Sequence, residues 1–443
     1  MARAARWRWR AGPVPALSGL VIPFLLFALA APPVLTRGSA VTQALAHSPE
    51  VRMASAQVEL AVAARSEAGF LEPSNPVLET VFSSDRPFGG AGDYAVGGFL
   101  SQEIYLGGQR GVAVRAAQLR LAAGQARNVA TANDVAALAL GAFDEALAAQ
   151  DRLALSKDAA ARATKLAEVA RKRFAAQDVG HLDVVLAEIQ EAQALALVDS
   201  ATAAVEQARV RLGGAIGAEV SALGPLEGEL PGSVPALPTL DQARERASTR
   251  PELVATEREV AAAEADRSLA GRSVIPNLTA GVGITRERTL FGGRDITGPA
   301  AGSTIDDAHT VLGVRFSIPI PIVDSGQVRI SRASAALQAA VARRDRARLL
   351  VNGEVTGAYA AATAASLSAE RLVPRSEEIR TALDQLTTAY AARALALPEL
   401  LATEQRLYGV LAAIVGARLA LAETRTELDR AMGVAAPPET AKP

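Results

Sequence analysis

The sequence is poor in the residues that most often carry chemistry. Its 443 residues include no cysteine, three histidines and only 4% aromatic residues. The missing thiols exclude disulfides, thiolate zinc sites, cysteine nucleophiles and a lipidated cysteine within this sequence. The 46 basic and 47 acidic residues give a net charge of −1, which argues against nucleic-acid binding because such proteins carry a basic surface. Half of the residues are hydrophobic, mostly Ala, Leu and Val, which suit long, closely packed helices.

Enzyme motifs are also missing. The sequence has no Walker A loop, no HExxH, no GxSxG and no histidine cluster, because His47, His181 and His309 are far apart. We therefore predict that the chain is not an enzyme and uses no cofactor or bound metal.

The first residues resemble an export signal. Four arginines precede an apolar stretch over 14–31, which ends in the pattern Ala-Leu-Ala that a signal peptidase accepts. Three prolines and the short span disfavour the alternative, an uncleaved anchor helix. We expect residues 1–31 to be a cleaved signal peptide, and no later apolar run is long enough for a transmembrane helix.

An internal repeat organises the rest of the sequence. The pair Gly-Gln at 108–109 recurs at 326–327, and Glu188 and Glu404 stand at nearly the same separation. We predict a first repeat over 39–217, a Pro- and Gly-rich linker over 218–240, a second repeat over 241–433 and a C-terminal tail over 434–443.

Each repeat is predicted to contain one shorter helix, two strands and a very long helical region with one interruption. The predicted helices are 41–71, 108–176 and 182–212 in the first repeat, and 241–271, 327–392 and 398–432 in the second. The longest would measure about 100 Å at about 1.5 Å per residue. Leucine or isoleucine recurs every seven residues at 400, 407, 414, 421 and 428, and this heptad predicts a coiled coil.

Four segments alternate between apolar and polar or small residues, as strands with one apolar face do. They are 77–83, 94–106, 276–285 and 310–322, and polar, glycine-rich turns are predicted over 85–93 and 287–308. Their length suits membrane strands, but four strands are too few for a barrel, so we expect several copies to pool their strands. Successive residues of a strand point to opposite faces. By this parity, the polar residues on the faces opposite the apolar ones are the lumen-facing candidates: Glu79, Glu103, Asn277 and Arg315. A sheet resting on a soluble core is the alternative.

Several segments together resemble one family. They are SPEVRMASAQVELAVAARSEAGFLEPSNP (48–76), SQEIYLGGQRG (101–111), RFAAQDVGHLDVVLAE (173–188), FSIPIPIVDSGQVR (316–329) and PELLATEQRLY (398–408). On these residues the chain resembles the TolC-like outer-membrane efflux channel family, most closely its cobalt-zinc-cadmium resistance branch. Two features depart from the family: no lipidated N-terminal cysteine is present, and Ala396 and Pro398 occupy a turn where glycine is common.

The resemblance implies an α+β membrane protein with a two-fold internal repeat. Four β-strands per chain would pool into a trimeric 12-stranded barrel in the bacterial outer membrane, above a long coiled-coil α-helical tunnel in the periplasm. The implied partners of the homotrimer are outer-membrane lipid, a periplasmic adaptor (membrane fusion protein) and an inner-membrane pump, often of the resistance-nodulation-division class.

The expected function is a passive exit channel of a tripartite efflux system for heavy-metal cations or small molecules. A type I protein secretion duct and a non-conducting periplasmic helical scaffold are the alternatives.

The reversals of the long helices, at 176–182 and 392–398, are the predicted periplasmic tips. We expect four charged residues to ring the aperture there: Asp178, Asp183, Arg393 and Glu399. The candidates for adaptor docking are Val179, Gly180, Leu182, Leu395, Ala396, Leu397 and Pro398. The alternative for each charge is an ordinary helix cap or a solvated side chain.

Overall fold

The computed structural model describes residues 34–84, 93–233, 236–292 and 304–434. The predicted signal peptide, the tips of both predicted outer turns and the tail beyond residue 434 lie outside these ranges.

The two predicted repeats contain helices and strands in the same order, except that the long helix after the strands is divided into two in the second. The first contains helices α1 (Arg37–His47) and α2 (Pro49–Ala68), strands β1 (Val77–Ser84) and β2 (Tyr94–Ile104), and helices α3 (Gln109–Ala175) and α4 (His181–Ile216). The second contains helices α5 (Leu240–Ala247) and α6 (Pro251–Arg272), strands β3 (Leu278–Gly292) and β4 (Thr304–Ser317), and helices α7 (Gln327–Leu372), α8 (Ser376–Ala391) and α9 (Leu397–Ala431). Short 3₁₀ turns occupy Val220–Ala222 and Val373–Arg375.

Prolines divide three helical segments that the sequence pattern predicts as continuous. Ser48 separates α1 from α2, and Arg250 stands before α6. Each has the extended backbone that a following proline favours, with ψ of 127° and 140°. Pro374 lies in the 3₁₀ turn between α7 and α8, because proline lacks the N–H group that a helix interior needs. The predictions of unbroken helices over these segments are therefore wrong.

The second hairpin also differs from its predicted limits. Strands β3 and β4 occupy much of the segment 287–308, which the sequence predicts as a loop. Strand β4 ends at Ser317 and does not continue to 322. Pro319 and Pro321 explain this end, because proline cannot donate the hydrogen bonds of a sheet.

The helical region has a core rich in alanine and leucine. Helix α3 packs against α2, α4, α6 and α9, and α7 packs against α6 and α9. The buried side chains of α3 are mostly alanines, whose small size allows neighbouring helix axes to come close. Four of the five heptad positions predicted on α9 are buried: Leu400, Ile414, Leu421 and Leu428 are at most 5% exposed. Leu407, the fifth position, is half-buried.

Within the described residues, α9 is the one helix long and apolar enough to cross a bilayer by length and composition. By contrast, no transmembrane helix is predicted from the sequence after residue 31. Of its most apolar window, 22% is buried within the described chain. The buried heptad residues Leu400, Ile414 and Leu421 pack against α3, α8 and α7 respectively.

The repeated Gly-Gln pairs begin helices α3 and α7. Gly108 and Gly326 have φ of 65° and 88°, a left-handed conformation that glycine adopts without steric cost. The Gln109 side chain donates from Nε2 to the carbonyl oxygen of Ile275 at 3.0 Å. This bond joins the first repeat to the second where the sheet meets the helices.

The four strands form one antiparallel sheet in the order β1-β2-β3-β4. Its register aligns Glu79 with Phe99, Phe99 with Gly283, and Gly283 with Gly313. Directly opposed residues share a face, so this row marks one face of the sheet from edge to edge. In the described chain, β1 and β4 each pair on one side only.

Candidate functional site

One face of the sheet is apolar and uncovered. The face opposite the Glu79 row carries large apolar side chains that are between 46% and 80% exposed: Leu78, Phe82, Val96, Leu100, Val282, Ile284, Leu312, Val314 and Phe316. They come from all four strands and form a band across the sheet. So much contiguous apolar surface marks an interaction face, and its breadth suits lipid.

The opposite face of the sheet is polar and lined with small residues. Arg315 on β4 places its Nη1 3.1 Å from Oε2 of Glu79 on β1, so its side chain reaches across both middle strands. The Arg315 guanidinium lies 4.4 Å from the centroid of the Phe99 ring, a cation–π distance. Phe99 covers Gly283, where an added Cβ would lie only 2.3 Å from a ring atom. Glycine therefore makes room for the contact between the first and last strands.

Glu103 and Asn277 form a second polar pair, near the helical end of the sheet. Asn277 Nδ2 donates to Glu103 Oε1 at 2.9 Å, and Ser74 Oγ donates to Glu103 Oε2 at 3.2 Å. The four residues that parity assigns to the lumen are thus joined in two pairs, Glu79 with Arg315 and Glu103 with Asn277.

At the far end of the molecule, the long helices reverse in two equivalent turns. Helix α3 passes into α4 over 176–180, and α8 passes into α9 over 392–396. The second residue of each turn, Gln177 or Arg393, has a positive φ of 60° or 64°. This conformation costs a residue other than glycine about 1–2 kcal/mol, so both turns carry backbone strain.

Asp178 connects the two turns electrostatically. Its Oδ2 lies 2.8 Å from Nε of Arg173 and 3.1 Å from Nε of Arg393. Arg173 also donates from Nη1 to the carbonyl oxygen of Tyr390 at 3.2 Å, and its guanidinium lies 4.8 Å from the Tyr390 ring centroid. The hydrogen bond to Asp178 raises the pKa of Arg173 above its usual range. These contacts join the first repeat to the second at the tip.

The structure separates the four predicted aperture charges. Asp178 and Arg393 are in contact, whereas Asp183 and Glu399 form no ion pair within the described residues. Asp183 and Glu399 stand in the first turns of α4 and α9, where a carboxylate interacts favourably with the helix dipole. For these two residues, the position agrees with the alternative that each carboxylate stabilises the start of a helix rather than lining an aperture.

We call the contacts among Arg173, Asp178, Tyr390 and Arg393 the tip network. Two of its members, Arg173 and Tyr390, are not predicted from the sequence. The aromatic-Ala-Ala triplets that begin at Phe174 and Tyr390 in the two repeats are a signal that marks Tyr390. No comparable repeat signal marks Arg173, because Ala389 holds the equivalent position in the second repeat.

The predicted docking residues differ in exposure. Val179 and Leu395 are half-buried, and the exposed members are Gly180, Leu182, Ala396 and Pro398. Leu397 is only 2% exposed because it packs with Tyr390 and Leu400 inside the tip. In the described chain its side chain is therefore not open to a docking partner. Helix α9 also begins at Leu397, so the second turn is shorter than predicted.

The described residues offer surfaces for lipid, water and a charged contact at the tip. They contain no group of three or more His, Asp or Glu side chains placed to hold a metal ion.

The chain is similar to known proteins in sequence. Residues 240–434 match the family described as outer membrane efflux protein. The cobalt-zinc-cadmium resistance protein CzcC of Cupriavidus metallidurans is 30% identical over 227 residues, which are 51% of this chain and 49% of that protein. The match thus spans about half the length of this curated relative.

Two solved structures share the fold over most of their length. The outer-membrane channel OprN has a TM-score of 0.69 at 23% identity, covering 90% of this chain and 89% of OprN. CusC, whose crystal structures concern folding and transmembrane channel formation, has a TM-score of 0.72 at 15% identity, covering 90% and 92%. At these identities the likeness shows the fold.

The matched proteins are efflux proteins and channels, in agreement with the prediction that the chain is not an enzyme. The resemblance to TolC-like outer-membrane efflux channels is therefore confirmed: residues 240–434 match the outer membrane efflux protein family, and the described chain has the fold of these channels.

Proposed function

We propose that the chain is one protomer of a passive exit channel in the bacterial outer membrane, part of a tripartite efflux system. The observation that carries this proposal is the four-stranded sheet with one exposed apolar face, one polar face and two free edges. Lipid offers no hydrogen-bond partner to a free edge, so a sheet in the membrane has to close. Three copies would supply 12 strands, which exceeds the smallest known barrels of about eight.

The two faces of the sheet fit the two sides of such a barrel. The apolar band would contact lipid, and the Glu79–Arg315 and Glu103–Asn277 pairs would line a water-filled interior. The long helices would continue this path into the periplasm. With 67 residues, α3 alone is about 100 Å long at about 1.5 Å per residue.

The tip network supports a gating role for the helical end. Asp178 and Arg393 hold the two turns of one chain together, and separation of this pair would free the tip helices to adopt a second packing. A periplasmic adaptor would bind the exposed tip residues, among them Gly180, Leu182, Ala396 and Pro398. An inner-membrane pump, of the resistance-nodulation-division class, would supply the energy.

Heavy-metal cations are the substrate class that we propose first. The support comes from the name of the relative CzcC, which is a cobalt-zinc-cadmium resistance protein. Small organic molecules are the second class, because the selection of cargo lies with the pump rather than with the exit channel.

Conductance and resistance measurements test these proposals. The purified protein should require detergent, run as a trimer that dissociates on heating, and conduct ions in planar bilayers. Deletion of the gene should sensitise cells to cobalt, zinc and cadmium. Sensitivity to hydrophobic drugs alone would contradict the metal assignment, and loss of protein secretion alone would favour the type I duct. A water-soluble monomer without conductance would favour the non-conducting scaffold.

A further inference from the structure

A cavity of about 500 Å³ lies among helices α3, α4 and α9. Its walls are mostly alanine and leucine, including Ala149, Leu155, Ala159, Ala163, Ala194 and Leu197. Both the sheet and the tip network lie outside it. A mostly apolar cavity of this size is suited to a small organic molecule, provided that a few polar groups fix its orientation.

Glu404 supplies such a group. It lines the cavity and is 7% exposed, and within the described residues its carboxyl group makes no hydrogen bond or ion pair. Burial raises the pKa of Glu404. The nearby cation Arg162 binds Asp158 at 3.2 Å and Asp384 at 2.8 Å instead. The Glu404 oxygens are not among the fully buried atoms that lack a partner, so they are open to the cavity that the residue lines. A ligand in the cavity can therefore donate hydrogen bonds to this carboxyl group, and hydrogen bonds to charged groups are stronger than neutral ones.

Tyr408 lies one helical turn beyond Glu404 and also lines the cavity. Its hydroxyl donates to Asp158 Oδ2 at 2.8 Å, so the hydroxyl is already satisfied. An aromatic ring beside a carboxylate attracts a cation through its quadrupole. Arg152 is the basic residue in the wall, but it is exposed and forms no ion pair with Glu404 in the described chain.

We propose that this cavity binds an organic cation in which an ammonium group is attached to an apolar body. The ammonium group pairs with Glu404 beside the Tyr408 ring, and the apolar body fills the space between the alanines and leucines. The site lies among helices α3, α4 and α9 and is tested by ligand binding, whereas the exit-channel proposal is tested by conductance. Either proposal can therefore fail without the other.

The experiment uses the full chain in detergent micelles and dansylcadaverine, a fluorescent probe with one primary ammonium group. Its N-acetylated form has the same fluorophore without the charge. We expect saturable binding of the amine and at least about tenfold weaker binding of the acetylated form, a ratio equivalent to about 1.4 kcal/mol. Equal binding of both forms would show that the cavity does not recognise the ammonium group, and this result would overturn the proposal. The absence of saturable binding by the amine would overturn it as well.

Two pairs of variants locate the site. Glu404→Gln should weaken binding of the amine about tenfold, whereas Glu188→Gln should not. Glu188 holds the equivalent place in the first repeat, but it is exposed and pairs with Arg171 at 2.9 Å.

The second pair alters the shape of the cavity without altering charge. Gly409 lines the cavity, and a Cβ there would meet nothing within 4 Å, so Gly409→Leu should fill the space and abolish binding. Gly416 on the same helix has equal room but lies outside the cavity, so Gly416→Leu should bind normally. Helical circular dichroism confirms that each variant folds. Unchanged affinity in both Glu404→Gln and Gly409→Leu would overturn the proposal.

Discussion

At the scale of single residues, the turn between α3 and α4 offers a direct test of backbone strain. Gln177 has φ of 60°, which glycine adopts freely. Gln177→Gly should relieve about 1–2 kcal/mol of strain and lose about 0.4–1 kcal/mol to the greater freedom of glycine in the unfolded chain. The net effect should stabilise the turn, by at most about 1.5 kcal/mol, and slow hydrogen exchange over 176–180. Ala176→Gly is the matched control, because Ala176 has φ of −81° and should lose protection. Slower exchange in both variants would contradict this explanation.

The charge of Asp178 can be tested in the same turn. Asp178→Asn keeps the size of the side chain but weakens its contacts with Arg173 and Arg393. The pair with Arg393, whose side chain is 69% exposed, contributes about 0.2–1 kcal/mol, and the less exposed pair with Arg173 contributes about 1.5–3 kcal/mol. We therefore expect a looser tip and a higher single-channel conductance. Asp183→Asn is the control, because Asp183 makes no ion pair in the described chain. Identical conductance in both variants would argue against a gating role for the network.

For the residues of the candidate site, the sequence predicts which face of a strand they occupy but not which residues they contact. Parity places Glu79 and Arg315 on one face because a strand has a period of two residues. It does not reveal that they touch, since their contact spans 236 positions of the chain. The contact of Asp178 with Arg393 is equally non-local, and the burial of Leu397 depends on where α9 begins.

At the scale of secondary-structure elements, strand β4 allows a comparison of the two faces of the sheet. Leu312 is 80% exposed on the apolar face, and its neighbour Val311 lies on the face of Glu79 and Arg315. A lysine facing the middle of a bilayer costs about 2–4 kcal/mol. Leu312→Lys should therefore reduce the heat-dissociable trimer recovered from outer membranes.

Val311→Lys is the control for this change, because it adds the same charge on the polar face. We expect its trimer yield to stay near that of the unaltered chain. If the two variants are depleted equally, the apolar face does not contact lipid.

The elements themselves are largely predictable, and the exceptions have a local cause. The sequence repeat and the heptad on α9 by themselves indicate the order of helices and strands. Pro49, Pro251 and Pro374 interrupt helices whose apolar spacing continues through them, so periodicity alone gives helices that are too long. Pro319 and Pro321 likewise end β4 inside a segment whose apolar residues continue at every second position to Ile322.

At the scale of the whole molecule, closure of the sheet requires partners that one chain does not supply. Because the sequence has no cysteine, pairing between copies can be tested by introducing Thr80→Cys on β1 together with Leu312→Cys on β4. Within one chain these positions lie three strand spacings apart, about 14 Å. A shorter bifunctional thiol reagent should therefore link different copies and yield covalent dimers and trimers on a denaturing gel.

Each single-cysteine variant is the control for this experiment and should give no covalent trimer. A double variant that stays monomeric after treatment, in a protein that is otherwise assembled, would show that β1 of one copy does not lie beside β4 of the next.

The tip network has a consequence for the duplicated architecture. Asp178 and Arg393 come from different repeats, and their counterparts are Ala394 and Gln177. A trimer of this chain contains six halves. If all six were the first half, the assembly would contain Asp178 but not Arg393, and if all six were the second half, it would contain Arg393 but not Asp178. Exchange of either half for the other would therefore remove the contact between Asp178 and Arg393, and in the first half the pair of Asp178 with Arg173 would be the contact that stays.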